Sequence, residues 1–234
     1  LGHCSNWLGM DVAWGYQLAR LVFGLLTLLA VYQLGSQLVR KRYYRRLFFI
    51  ITAGGAGLGW LQWILGWVPD PSISPIDFWL IDPYLFFHLI VFPHFLMVDF
   101  GLILVLLLFM THLKNPSWIK LLLIAVCFLG MQLVQPYIPV LADVALAGLL
   151  VGRMVRDKNL YWTRVLELCG LVLIQLPLLY YNWRIFFGRL IWQGFSAQNL
   201  TLSPPWNYYL WGFGILWGGA ILGIVLLGRY VFSP

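Results

Sequence analysis

The chain reads as an all-α integral membrane protein, a polytopic helical bundle of about seven transmembrane helices forming one domain over residues 1–234. Three observations predict that class. Hydrophobic residues make up 62% of the chain and charged residues only 10%, with a mean hydropathy of +0.84, whereas soluble domains are roughly a quarter charged. Apolar runs recur at about the 20-residue length that a helix needs to cross a hydrocarbon core. Finally, twelve of the fifteen Lys and Arg residues fall in alternate connections between those runs. The net charge of +7 is mostly this excess, so it implies no nucleic-acid partner.

The first run, Trp14 to Val39, is followed by Arg40, Lys41, Arg42, Arg45 and Arg46. That cluster is a topogenic signal before it is an anionic-lipid contact. The second, Leu47 to Trp67, contains Gly54-Gly55-Ala56-Gly57-Leu58-Gly59. With no strand before it, this stretch reads as close helix packing rather than a phosphate loop. The third and fourth are His94 to Leu113 and Trp118 to Val134. The fifth, Ile138 to Val155, follows after only Gln135-Pro136-Tyr137, a spacing compatible with a tight re-entrant pair. Trp162 to Tyr180 and Trp206 to Leu227 complete the series.

Basic residues are retained on the cytoplasmic side. Lys114, Lys120, Arg153, Arg156, Lys158, Arg164 and Arg229 join the cluster at residues 40–46 on one face, while Asp70, Asp77 and Asp82 occupy an opposite connection without a base. The N-terminus is therefore expected outside and the C-terminus inside. Trp14, Trp60, Trp63, Trp67, Trp118, Trp162, Trp206 and Trp211 lie near the ends of runs, where indole favours the headgroup level. Cys127 and Cys169 fall inside runs and Cys4 is alone outside, so no disulfide is expected. The chain begins with Leu1, not Met, and has no cleavable signal pattern; it is expected to be processed or part of something longer.

Two long external connections are the places where chemistry is expected. Val68 to Pro93 begins rich in Pro and becomes aromatic, a composition that suits the interface. Tyr181 to Pro205 sets Trp183, Ile185, Phe186, Leu190, Ile191 and Phe195 against Arg184, Arg189 and Gln193, an amphipathic pattern that lies flat on a membrane.

Arg20, Asp99 and Asp143 each lie five or six residues inside the outer end of a run, roughly 8 to 9 Å deep at helical rise. A charge at such depth must pair or face water. The plainer account is a structural ion pair; the other is a solvated substrate or proton site. Glu167 is one turn from Arg164 and reads as a helix-surface pair. His88 and His94 are six residues apart, which does not place two imidazoles on one helical face. His94 reads as a helix start after Pro93, with acid/base or phosphate contact as its alternative; His3 and His112 carry no signal. No G-x-S-x-G, H-E-x-x-H, Walker or C-x-x-C motif occurs, and no metal motif is present, which leaves a divalent metal open.

Four stretches together resemble a known group: Tyr16 to Leu38, Ala53 to Gly66 (AGGAGLGWLQWILG), Pro75 to Phe95 (PIDFWLIDPYLFFHLIVFPHF) and Ser196 to Gly214 (SAQNLTLSPPWNYYLWGFG). Their order resembles bacterial polytopic proteins of the type-C glycosyltransferase superfamily, over most of the chain. The resemblance implies residence in the plasma (inner) membrane and transfer of a sugar from a polyprenyl-phosphate donor at the outer face. The family's first span and the loop carrying its acidic catalytic residue have no counterpart here, and Asp11 is not assigned that role. What the resemblance implies for the remaining residues is a carboxylate, Asp77 or Asp82, facing the site, Arg184 and Arg189 holding phosphate, and His94 or Gln198 assisting. The rival reading is a non-enzymatic transporter or lipid-handling unit built on Arg20, Asp99 and Asp143, or an accessory subunit of a membrane protein partner.

Overall fold

A computed structural model describes residues 2–55, 57–68, 74–79, 84–198, 204–214 and 216–221, with the side chains of Cys4, Trp79 and residues 195–198 outside the described set. Within it the chain forms α1 (Gly2–Trp7), α2 (Val12–Leu38), α3 (Arg42–Gly54), α4 (Gly59–Ile64), α5 (Ile76–Trp79), α6 (Leu85–Val91), α7 (Pro93–Lys114), α8 (Trp118–Val134), α9 (Ile138–Asp157), α10 (Trp162–Gly188), α11 (Leu190–Gln198) and α12 (Trp206–Gly212). No strand occurs among the described residues. Four helices, α2, α7, α9 and α10, are long and apolar enough to cross a membrane. The apolar α8, at 17 residues, falls slightly short of that length.

Helix α7 is the axis of the fold and packs against α2, α6, α8 and α9. Val105, Phe109, Ile124, Phe128, Leu146 and Leu171, from α7 to α10, are buried in one core. Large apolar residues such as Leu133, Val144, Leu166 and Leu173 remain exposed on the outer faces, the pattern expected where lipid is the solvent. Register follows from single contacts. Met131 fills the space beside Gly101, so α8 runs antiparallel to α7. Thr27 Oγ1 donates to Leu96 O at 3.0 Å, aligning the middle of α2 with the first turns of α7.

Two departures from the sequence reading have local causes. The run Leu47 to Trp67 is not one helix: α3 starts at Arg42 and ends at Gly54, and α4 begins only at Gly59. Thirteen residues rise about 20 Å. Helix α3 runs back along α2, with Phe48 against Gly35 and Phe49 edge-on to Tyr32, and it reaches α6. The break falls at glycines because other groups approach the backbone there. The amphipathic stretch after Tyr180 is likewise divided: α10 runs on to Gly188, past Pro177, before α11 begins at Leu190. Finally, α9 is 20 residues long and by length and composition could cross by itself, whereas α8 has 17 residues.

Pro93 is tolerated as the first residue of α7, where an N–H has no helical partner in any case. The same Pro deprives the preceding α6 of a donor, and α6 folds against α7 around Phe92. Asp11 caps α2 by accepting from Ala13 N–H at 2.7 Å, an N-cap role.

Candidate functional site

Asp77 sits in a cradle made by three separated segments. Its side chain is almost wholly buried, and Oδ2 accepts from the Gly59 N–H at 3.0 Å. A Cβ at Gly57 would lie 2.7 Å from that same oxygen, and one at Gly59 would lie 2.7 Å from Asp77 Cγ. The glycines that break the second run therefore admit a carboxylate that any side chain would displace. Leu58 N–H donates to Trp211 O at 2.9 Å, and the Tyr84 hydroxyl donates to Gly212 O at 2.6 Å. Helices α4, α5 and α12 and the start of α6 are tied together in this way. Asp77 Oδ1 is buried with no hydrogen-bond partner. Burial pushes the Asp77 carboxyl above the usual carboxylate range, opposed by the N–H groups of Gly59 and of Asp77 itself. The same burial, with Asp77 adding its charge, raises the Tyr84 phenol.

The three deep charges are met one at a time. Arg20 donates to Ile90 O, and the Tyr16 hydroxyl to Val91 O, so α2 caps the carbonyls that α6 leaves free before Pro93. A cation at a helix C-terminus is favoured by the helix dipole as well. Asp99 Oδ2 meets His88 Nδ1 at 2.6 Å, and His88, buried, stacks on Phe95 with ring centres 4.6 Å apart. Asp143 accepts from Gln175 Nε2 at 3.0 and 3.2 Å, while Gln132 Nε2 donates to Gln175 O at 3.4 Å. From the Thr27 to Leu96 register, Arg20 and Asp99 are offset by roughly 15 Å along the helices. Gln132 adjoins Met131, which touches Gly101, so Asp143 and Asp99 lie within about a turn of each other in depth. Asp99 and Asp143 thus meet a histidine and a glutamine within the helices, while Arg20 meets the carbonyl end of α6.

A groove of about 710 Å³ opens between the start of α7, the α8–α9 turn and the far end of α10. Val134, Leu179, Trp183 and Phe187 form its apolar walls, and His94, Gln135 and Asn182 add polar groups. Asn182 Nδ2 is buried without a partner. Arg184 follows Trp183, and Arg189 begins the turn into α11. Both arginines are exposed, and neither guanidinium has a hydrogen bond or ion pair among the described residues. Asp77 is not among the groove's lining residues, so the two halves of the expected site are described as separate places. Asp82 lies outside the described residues, as do Asp70, Arg229 and the side chain of Gln198. No group of three or more His, Cys, Asp or Glu side chains able to hold a metal occurs among the described residues.

The sequence reading missed His112. It is buried, and Nε2 lies 2.9 Å from Glu167 Oε2. Arg164 Nη1 donates to Glu167 Oε2 at 2.6 Å. The pair expected on a solvated helix surface is thus a partly buried cluster joining α7 to α10. The available signal was the coincidence of His112, Arg164 and Glu167 at the same end of antiparallel runs. No family model, curated protein or solved structure matches this chain.

Proposed function

We propose that the chain is the membrane-embedded body of a transferase of the type-C glycosyltransferase kind, taking its sugar from a polyprenyl-phosphate donor at the outer face of a bacterial plasma membrane. In this reading the chain makes seven passes, N-terminus outside, with α3 and α4 together serving as the broken second pass. The observation that carries it is the groove beside Arg184 and Arg189. An apolar trough with an imidazole and two carboxamides, beside Arg184 on α10 and Arg189 at its C-cap, neither guanidinium with an ion pair among the described residues, matches an amphiphile with a long hydrocarbon tail and a phosphate.

In the transfer, an acceptor hydroxyl oxygen bonds to the anomeric carbon as the bond from that carbon to the lipid phosphate oxygen breaks. A carboxylate takes the hydroxyl proton, and cations stabilise the departing phosphate. His94, which lines the groove, is the base nearest the phosphate contacts; Asp77, whose burial strengthens its affinity for a proton, and Asp82 are the carboxylates of that role, and Asp77 is not among the groove's lining residues. Arg184 and Arg189 are the phosphate contacts, with Gln198 beside them in sequence. Titration of the purified chain with polyprenyl phosphate tests the reading. Binding should weaken about tenfold or more in Arg184→Ala/Arg189→Ala, and unchanged binding would remove the assignment.

A second reading, transport or lipid handling without chemistry, is favoured by the Gln132, Gln175 and Asp143 chain, buried beside Pro177 in the bundle. Flux of a labelled lipid or proton that survives Asp77→Asn, in a chain with no transfer activity, would select it.

A further inference from the structure

The geometry points to a binding site for one anionic phospholipid at the carboxyl ends of α7 and α9, at the end of α7 opposite His94. Lys114, Arg153 and Arg156 line a cavity of about 230 Å³ whose floor includes Leu113, Leu149 and Gly152. The floor is apolar and the rim cationic. A position for Cβ at Gly152 has no atom within 4 Å, so the floor is open at the point where a headgroup would descend.

The cations are spare, which is the stronger part of the argument. Lys120 already serves the end of α7, its Nζ donating to Thr111 O at 3.2 Å and to the C-cap Asn115 O at 2.8 Å. Lys114, the last residue of α7, is exposed and has no hydrogen bond or ion pair among the described residues. Asp157 is the carboxylate near the two arginines, and it engages the Nε edge of each, at 3.2 Å for Arg153 and 2.8 Å for Arg156. Their terminal Nη pairs have no partner among the described residues, and that fork fits two phosphate oxygens. Arg153 is held for the purpose, its guanidinium 5.6 Å above the Tyr161 ring and Tyr161 itself bonded to Asp157. One carboxylate against three cations leaves the cavity positive, and a helix seam in a membrane supplies the acyl chains' surroundings. Basic pockets between transmembrane helices hold phospholipid headgroups in this manner.

The test is lipid retention by native mass spectrometry of the full chain, purified from membranes and exchanged into vesicles of phosphatidylglycerol or phosphatidylcholine. One phosphatidylglycerol per chain should remain, with no equivalent retention of phosphatidylcholine. Retention should fall about tenfold in Lys114→Gln/Arg156→Gln and also in Gly152→Leu, which fills the floor at unchanged charge. Lys41→Gln/Arg42→Gln, in the other basic cluster, should leave it unaltered. Equal retention of the two lipids, unaltered retention in either cavity variant, or an equal fall in the control pair would overturn the proposal. Displacement by millimolar glycerol phosphate would also overturn it, by assigning the cavity to a soluble phosphate.

Discussion

His88 Nδ1 and Asp99 Oδ2 lie 2.6 Å apart, joining α6 to α7 across the bend at Phe92. The imidazole is buried and its Nε2 has no partner, so Asp99 is its polar contact. Loss of one member leaves the other without a partner in an apolar setting. Asp99→Leu and His88→Phe should each lower stability by about 1–3 kcal/mol. The double variant should recover part of that sum, with a coupling energy of about 0.5–3 kcal/mol. Unfolding of the four proteins in detergent measures the cycle; strict additivity would dissolve the pairing.

Asp77 gives a pH dependence whose sign is fixed. Its folded carboxyl binds a proton more tightly than the unfolded one, because burial disfavours the charge. The contribution is fully present below the unfolded value and is lost as pH rises through the raised folded value. The wild-type chain should therefore gain stability relative to Asp77→Asn as pH falls from neutrality into the carboxylate range. Asp77→Asn keeps an oxygen for the Gly59 N–H, so it should also be the more stable protein at neutral pH. Parallel stability curves from pH 4 to about pH 8 would sink this account.

Where the sequence could be read, it was read through length and charge. Val12–Leu38, Pro93–Lys114, Ile138–Asp157 and Trp162–Gly188 are each long and apolar, and the expected runs overlap all four. Hydropathy has no term for a backbone that another chain segment approaches, so the break between Gly54 and Gly59 is hidden from it: Asp77 and the Gly212 carbonyl close on Gly57 from elsewhere in the chain. The deep charges were legible as needing partners, but not which partners. Arg20 is satisfied by carbonyls, groups every residue carries and no composition reveals. His112 was illegible for a similar reason, since its meaning depends on Glu167, 55 residues away.

The glycine cradle makes a sharp comparison. Gly59→Ala would drive Cβ into the Asp77 carboxylate, and Gly212→Ala would drive it into Ile76. Each should cost about 1–3 kcal/mol or more, as overpacking does. Gly148→Ala, on α9 with nothing within 4 Å of the added carbon, should be neutral or stabilising by about 0.5–1 kcal/mol through helix propensity. Thermal unfolding of the three variants checks the ranking, and equal behaviour would mean that the segments do not meet.

Topology is open to labelling. In a chain with Cys4, Cys127 and Cys169 replaced by Ser, a cysteine at Ser74 should react with an impermeant maleimide added outside intact cells. One at Tyr43, exposed near the basic cluster, should react only after permeabilisation. The reverse pattern would place the Asp77 cradle on the cytoplasmic side and remove the outer-face reading with it.

Glu167 is the hub of the α7–α10 cluster, and removal of each member should rank accordingly. It accepts from Arg164 and faces His112 Nε2, while Arg164 Nη1 lies only 3.0 Å from that same nitrogen. Without the carboxylate, a guanidinium and an imidazole face each other with no anion between them. Without Arg164, Glu167 still has His112. Glu167→Leu should therefore cost about 2–4 kcal/mol, below the range for fully buried pairs because both side chains retain about a fifth of their exposure. Arg164→Leu should cost about 1–2 kcal/mol, and Arg164→Leu/Glu167→Leu less than Glu167→Leu alone, since the stranded cation is gone. Unfolding midpoints in one detergent order the three. If Arg164→Leu proves the costliest, the carboxylate is not the centre of the cluster, and the bond between α7 and α10 belongs to the arginine and His112.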